Sequence, residues 1–195
     1  MVIGLVGKTC SGKNAVATYF EEKGFYIIDV DVLGHHSLEE NHKKLIEVFG
    51  QDIETEGKID RKKLGPIVFS DPNKLETLNN ITHPWMEERV RELVKMHENC
   101  IINAALLESM GLCKYCDEVM LVIASTEVRL ARALKRDNIS KEQFLKRNAN
   151  QAEIGLSVFT NCKKVITIVN NSTKENLLHQ LDSYFLELKG KGVVS

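Results

Sequence analysis

The stretch MVIGLVGKTCSGKNAVATYF, residues 1–20, constrains the fold more than any other part of the chain. A continuously apolar run, Val2–Val6, reads as a strand buried on both faces, as in a parallel sheet. It gives way to GKTCSGKN, Gly7 to Asn14, and then to a helical pattern that should stop at Gly24. The loop follows the spacing G-x-x-x-x-G-K-[ST], except that Asn14 stands where a hydroxyl residue is usual. Gly7 and Gly12 let the backbone curl so that amide N–H groups face inward, and the helix beginning at residues 12–13 adds the positive end of its dipole. Lys13 adds a full charge. A strand, a glycine loop and a helix in that order make a cradle for a polyphosphate, with Gly7, Lys8, Thr9, Cys10, Ser11, Gly12, Lys13, Asn14 and Ala15 as its residues.

Four further apolar runs, FYIID (25–29), CIIN (100–103), VMLVIA (119–124) and KVITIV (164–169), predict a parallel sheet of about five strands with helices on both faces. Between residues 31 and 100 no strong strand signal appears, and the segment is much longer than one crossover helix requires. It reads as a helical insertion, with Asp71-Pro72 and His83-Pro84 each placing proline where a helix can begin. The expected plan is one unit: a core of residues 1–31, 99–128 and 163–189, a helical lobe over 32–98, and a lid over 129–155. The lid segment is locally cationic, with Arg129, Arg132, Lys135, Arg136, Lys141, Lys146 and Arg147, and Ser140 and Gln143 have capping-box spacing.

Composition closes off other classes. The formal net charge is −1, so any anion site is local and general attraction to nucleic acid is not expected. No run of 18 apolar residues is present and no basic, signal-like leader precedes the first strand, which predicts a cytoplasmic protein outside the membrane. An odd number of cysteines, five, argues against a disulfide framework. Cys113 and Cys116 form one C-x-x-C without the second half of a zinc site, and read as structural packing.

The second strand ends in Asp29-Val-Asp31. Ligands collect beyond the carboxyl ends of parallel strands, so an acid there stands near the end of the cradle. Asp31 is the candidate that orients an acceptor hydroxyl and takes its proton late in a loose phosphoryl transfer; the alternative is that it caps the next helix. Magnesium is the expected ion, and Asn14 offers it an amide oxygen, directly or through water.

Taken in order, these residues resemble the dephospho-coenzyme A kinase family. The resemblance rests on the N-terminal glycine loop, the D-x-D at Asp29–Asp31, GKIDRKKL at 57–64 for a G-x-x-x-R-x-x-L element, and His83-Pro84. AALLES at 104–109 matches a P-L-L-x-E region with alanine in place of proline and Glu108 one place early; the arginine-rich 132–147 segment and Ile168–Asn171 follow. The resemblance implies a P-loop NTPase-type three-layer α/β sandwich, ATP and dephospho-coenzyme A as substrates, Mg²⁺, and phosphorylation of a ribose 3′-hydroxyl as the last step of coenzyme A synthesis. It implies that Lys13 and the loop amides hold ATP, that Asp31, Arg61, His83 and Arg147 serve the acceptor, that Arg136 or Arg147 closes on phosphates, and that Asn170 or Asn171 touches the adenine. His35 and Glu108 are further acceptor-side candidates, the alternatives being a solvated histidine and, for Glu108, a magnesium-bound water or a helix cap. A monomer or weak homo-oligomer is expected. Two alternatives remain at this stage: another P-loop nucleoside or nucleotide kinase, and, because of Asn14, a catalytically weakened nucleotide-dependent switch.

Overall fold

In the computed structural model, which describes residues 1–136, 140–149, 151, 159 and 162–194 (without the side chains of 136 and 147), Val2–Val6 is a strand, β1, buried along its whole length. Helix α1 (Lys13–Glu22) and strand β2 (Tyr26–Asp29) follow. Gly24, at φ +88°, ends α1: its N–H donates to the Glu21 carbonyl while Phe25 N–H donates to that of Phe20. This left-handed stop at glycine is the one the sequence predicts.

The core sheet has the order β2-β5-β1-β6-β7, where β5 is Cys100–Asn103, β6 is Glu118–Ile123 and β7 is Val165–Val169. β1 runs parallel to β5 on one side, with Ile3 opposite Ile101, and parallel to β6 on the other, with Gly4 opposite Val119. The chain therefore leaves β1 for one half of the sheet and returns to the other half, which places the carboxyl end of β1 at the topological switch point. The strand count, strand positions and parallel sense agree with the sequence reading.

Alternation along β1 sorts its neighbours. Ile3 and Leu5 join α1 and α8 (Lys174–Gly190) in the main core, through Val16, Phe20, Leu177, Leu181 and Phe185. Gly4 faces the other way, where a Cβ would lie 2.5 Å from Leu107 Cδ2 and 2.9 Å from Cys116 Sγ. The segment after β5, ending in a 3₁₀ turn at Leu112–Tyr115, thus closes on that face at a distance only glycine permits. Beyond β6 lie α6 (Thr126–Arg136) and α7 (Lys141–Ala149). Ser140 N–H donates to Gln143 Oε1 (3.0 Å) and Gln143 N–H donates to Ser140 Oγ (3.2 Å), the reciprocal capping box that the spacing predicts.

The chain divides into two compact units, Met1–Ile28 with Val94–Ser195, and Asp29–Leu93; the sequence reading put the corresponding boundaries at 32 and 98. The second unit contains α2 (Val30–Glu40), α3 (His42–Phe49), a hairpin of β3 (Glu54–Thr55) and β4 (Lys58–Ile59), α4 (Arg61–Phe69) and most of α5 (Pro72–Met96). It has its own core of Leu38, Leu45, Ile53, Ile59, Leu64, Val68 and Ile81.

Two local expectations are corrected there. Pro72 does open a helix, but Pro84 lies inside α5 and begins nothing. Proline removes one donor and disfavours the turn before it, yet Thr82, Met86, Val90 and Leu93 are buried on one face across it, and that packing outweighs the local penalty. The hairpin went unread: Glu56 (φ +52°) and Gly57 (φ +77°) form a two-residue turn with both central residues left-handed.

Candidate nucleotide site

The curl of the loop is held from outside as well as by its own sequence. Gly12 takes φ +102°, and a Cβ on it would lie 2.1 Å from Asn170 Nδ2. A Cβ on Gly7 would lie 2.5 Å from Ser11 Oγ and 2.7 Å from the Val122 carbonyl. Both glycines are therefore demanded by space, and Gly12 also by backbone conformation. Within the loop, Ser11 N–H donates to the Lys8 carbonyl (3.0 Å), and α1 opens with Ala15 N–H on the Gly12 carbonyl (3.0 Å). No side chain caps α1, so its dipole meets whatever occupies the cradle.

Three side chains clamp the loop carbonyls. Asn170, just beyond β7, is buried and donates from Nδ2 to the Ser11 carbonyl (2.8 Å). Arg132, on α6, donates to Asn170 Oδ1 (3.1 Å) and the Asn170 carbonyl (3.0 Å), and makes long contacts of 3.4 Å with the Cys10 and Ser11 carbonyls. Arg129 is only 3% exposed; it donates to the Ala124 carbonyl (3.2 Å), the Thr9 carbonyl (3.4 Å) and Asn148 Oδ1 (2.7 Å), with Phe144 beneath its guanidinium at 5.5 Å. Burial pulls the Arg129 pKa below its ordinary value, though a guanidinium with this many acceptors stays charged. By engaging carbonyl oxygens these groups keep them out of the cradle, and they add positive charge at its rim. Gln151 Oε1 accepts from Thr9 N–H (2.7 Å), and Cys10, at φ +62°, packs with Leu130 against Ala133 and Phe144.

Lys13 is half-buried at the head of α1, while Asn14 and Ala15 are exposed. A cavity of about 270 Å³ is lined by Lys8, Ser11, the chain from Leu121 to Thr126, and Arg129. Ser11 Oγ is buried against it and has no hydrogen-bond partner among the described residues, as expected of a hydroxyl that a ligand or water satisfies.

Sequence reasoning singled out Arg136 and Arg147, whose side chains lie outside the described residues. It missed Arg129 and Arg132 as members of the cradle. Their signal was the i,i+3 spacing immediately after β6, which puts both guanidinium groups on one face of α6. Asn170 is present as expected, but its amide is engaged with the loop carbonyl, so its place is that of a loop brace.

The expected acceptor residues Asp31, His35, Arg61 and His83 all belong to the second unit. Asp29, not Asp31, caps α2, its carboxylate accepting from Val32 N–H (3.1 Å); Asp31 sits exposed in the first turn. His35 is exposed on the same helix. Arg61, also exposed, begins α4, whose start is fixed by Asp60 accepting from Lys62 N–H (2.8 Å). His83 is half-buried, and burial lowers its pKa. Glu108 lies in the first unit, where Cys162 Sγ donates to its Oε2 (3.6 Å) beside Cys113. Its immediate neighbours there are thus two sulfurs. Cys113 and Cys116 are buried, as the packing reading requires; burial, then Cys162 and Asp117, pushes the Cys116 thiol up to about 12.

A parallel sheet with a glycine loop at its switch point, an uncapped helix and a lysine at its head define a P-loop kinase-type phosphate site. A shikimate kinase of Bacteroides thetaiotaomicron has the same fold at 11% identity, with a TM-score of 0.58 over 97% of this chain and 98% of its own. The protein family described as dephospho-CoA kinase matches residues 1–175, and the chain belongs to that family. A dephospho-CoA kinase of Fusobacterium nucleatum is 37% identical, over 94% of this chain and 96% of its own length. Among solved structures, TT1252 of Thermus thermophilus superposes with a TM-score of 0.80 at 27% identity, covering 96% of this chain and 97% of its own.

Two outcomes follow from this geometry. Gly12→Ala, forcing a Cβ into Asn170 and a non-glycine residue to φ +102°, should weaken ATP binding at least about tenfold by calorimetry, since a strained loop loses the curl that shapes the cradle. His83 binds protons less readily folded than unfolded, so its contribution is intact above the unfolded pKa of about 6.5 and is lost as pH falls below it. Thermal melts of the ligand-free chain from neutral pH to about pH 5 should therefore show a smaller decline for His83→Gln than for the parent; equal declines would remove His83 as the cause.

Proposed function

We propose that this chain transfers the γ-phosphoryl group of ATP to the ribose 3′-hydroxyl of dephospho-coenzyme A, giving coenzyme A and ADP, the closing step of coenzyme A synthesis. The observation that carries the reading is the family match over residues 1–175, which takes in the cradle, Asp31, Arg61, His83 and the Arg129–Arg132 pair.

In this reading the amides of the Lys8–Asn14 loop that make no bond within the protein, together with the Lys13 ammonium, hold the ATP phosphates, and Lys13 follows the charge that moves onto the leaving β-phosphate oxygen. The 3′-oxygen forms the new bond to phosphorus as the bond to the β–γ bridging oxygen breaks. Asp31 orients that hydroxyl and receives its proton, which leaves late in a loose transition state. Arg61, His83 and His35 bind the acceptor, and Arg136 or Arg147 closes on phosphate. Arg129, Arg132 and Asn170 hold the loop in shape. Asn14, exposed one residue after Lys13, presents a hard oxygen donor that suits magnesium directly or through water. When bound, magnesium neutralises charge on the β- and γ-phosphate oxygens.

No helix among the described residues is long and apolar enough to cross a membrane, and a cytoplasmic monomer or weak homo-oligomer without nucleic-acid partners fits the near-neutral charge.

A coupled ADP-release assay, with controls lacking each substrate, should show turnover that depends on dephospho-coenzyme A; a preference for adenosine monophosphate would redirect the reading to a nucleotide kinase. Lys13→Ala should lower kcat/KM by about 100-fold or more, as loss of one focused charge does. Asp31→Asn should depress kcat while ATP affinity holds, and equal loss of both would move Asp31 to the metal site. Asn14→Ser should keep or raise turnover.

A further inference from the structure

We infer that Glu108, Cys113 and Cys162 form a binding site for a zinc-type divalent cation, separate from the phosphate cradle. One carboxylate oxygen and the two sulfurs all lie within 4.8 Å of one another. Cys162 Sγ is 3.6 Å from Glu108 Oε2, and a tetrahedron with zinc–sulfur and zinc–oxygen bonds of about 2.3 and 2.1 Å has a sulfur–oxygen edge of about 3.6 Å. The Cys162–Glu108 pair is thus already spaced as two ligands on one ion, with the Cys113 sulfur within 4.8 Å of both.

Packing alone accounts for the buried Cys113 and Cys116 but not for a carboxylate set against two thiols. The sequence reading found no second half for the Cys113–Cys116 pair; the fold supplies it from elsewhere in the chain. Glu108 comes from the segment after β5 and Cys162 from three residues ahead of β7, 46 residues beyond Cys116 by number (162 − 116). Cys116 has C-x₂-C spacing with Cys113 and spends its thiol on the Leu112 carbonyl at 3.6 Å, a weak sulfur contact. The fourth position is left to water.

Two sulfurs and one oxygen favour zinc over magnesium, so the ion held here differs from the one that accompanies ATP. Binding exchanges the two thiol protons for one Zn²⁺ and releases them to solvent. A bound ion ties the chain entering β7 to the segment that covers the Gly4 face of the sheet, and stabilises the fold by mass action.

The test uses the full chain, reduced and stripped of metal. Cobalt(II) should bind one per chain with thiolate-to-cobalt charge-transfer absorption, zinc should displace it, and zinc should raise the melting temperature until a chelator is added. Cys162→Ser and Glu108→Gln should each weaken zinc at least about tenfold, in line with loss of a direct ligand. Absence of the charge-transfer band in the reduced parent chain overturns the site without recourse to any variant. So does a band of unchanged affinity in Cys162→Ser, or recovery of the chain with a Cys113–Cys162 disulfide and no metal uptake after reduction.

Discussion

The contact on which the rest of the nucleotide site depends is the bond from Asn170 to the Ser11 carbonyl, closed from behind by Arg132. A loop that curls to leave amides facing the cradle sends the Thr9, Cys10 and Ser11 carbonyls the other way, toward donors on α6 and just beyond β7. Buried carbonyls without donors would cost about 1–3 kcal/mol each and would relax by turning back into the cradle. Asn170 and Arg132 supply those donors, and their own reciprocal bond fixes the amide in the orientation that donates. The binding surface for the phosphates is therefore set from its outer side, before any phosphate arrives.

That arrangement explains why the glycines are where they are. Gly12 leaves room for the Asn170 amide, and Gly7 leaves room for Ser11 and the Val122 carbonyl. It also binds α6 to the site: Arg129 and Arg132 occupy successive turns of one helical face, and Arg129 reaches Asn148 on α7. The α6–α7 pair is thus connected to the loop through guanidinium groups that donate to the loop carbonyls. A lysine in either place would offer a point charge without the planar fork.

The strands were legible because they are buried on both faces, so apolar continuity alone reported them. The loop was legible because its glycines answer to a spatial demand, and the α7 cap because two side chains must reach each other across one turn. What escaped had its cause outside the local window. α5 passes through Pro84 because the buried face around it is worth more than one missing donor. The β3–β4 hairpin is too short to show alternation, and only the Glu56-Gly57 pair marked it. Arg129 and Arg132 could not be separated by composition from Arg136 and Arg147, since all four lie in one cationic run and only the direction of α6 relative to β6 assigns the first two to the loop. Glu108 was placed by motif with acceptor residues, whereas its neighbours are two thiols that arrive from distant parts of the sequence.

Position 14 can now be weighed against this framework. Its side chain is exposed in the first turn of α1, makes no cap, and supports none of the bonds that shape the loop. Replacing a hydroxyl with an amide there leaves Gly7, Gly12, Asn170 and Arg132 undisturbed, so the grip on phosphate does not depend on it. In the proposed reading the effect falls on the magnesium shell, where phosphate and water would supply most of the ligands and an amide oxygen would replace a hydroxyl. The departure from the usual motif therefore leaves in place the cradle itself, built by residues up to 163 positions apart in the chain (170 − 7).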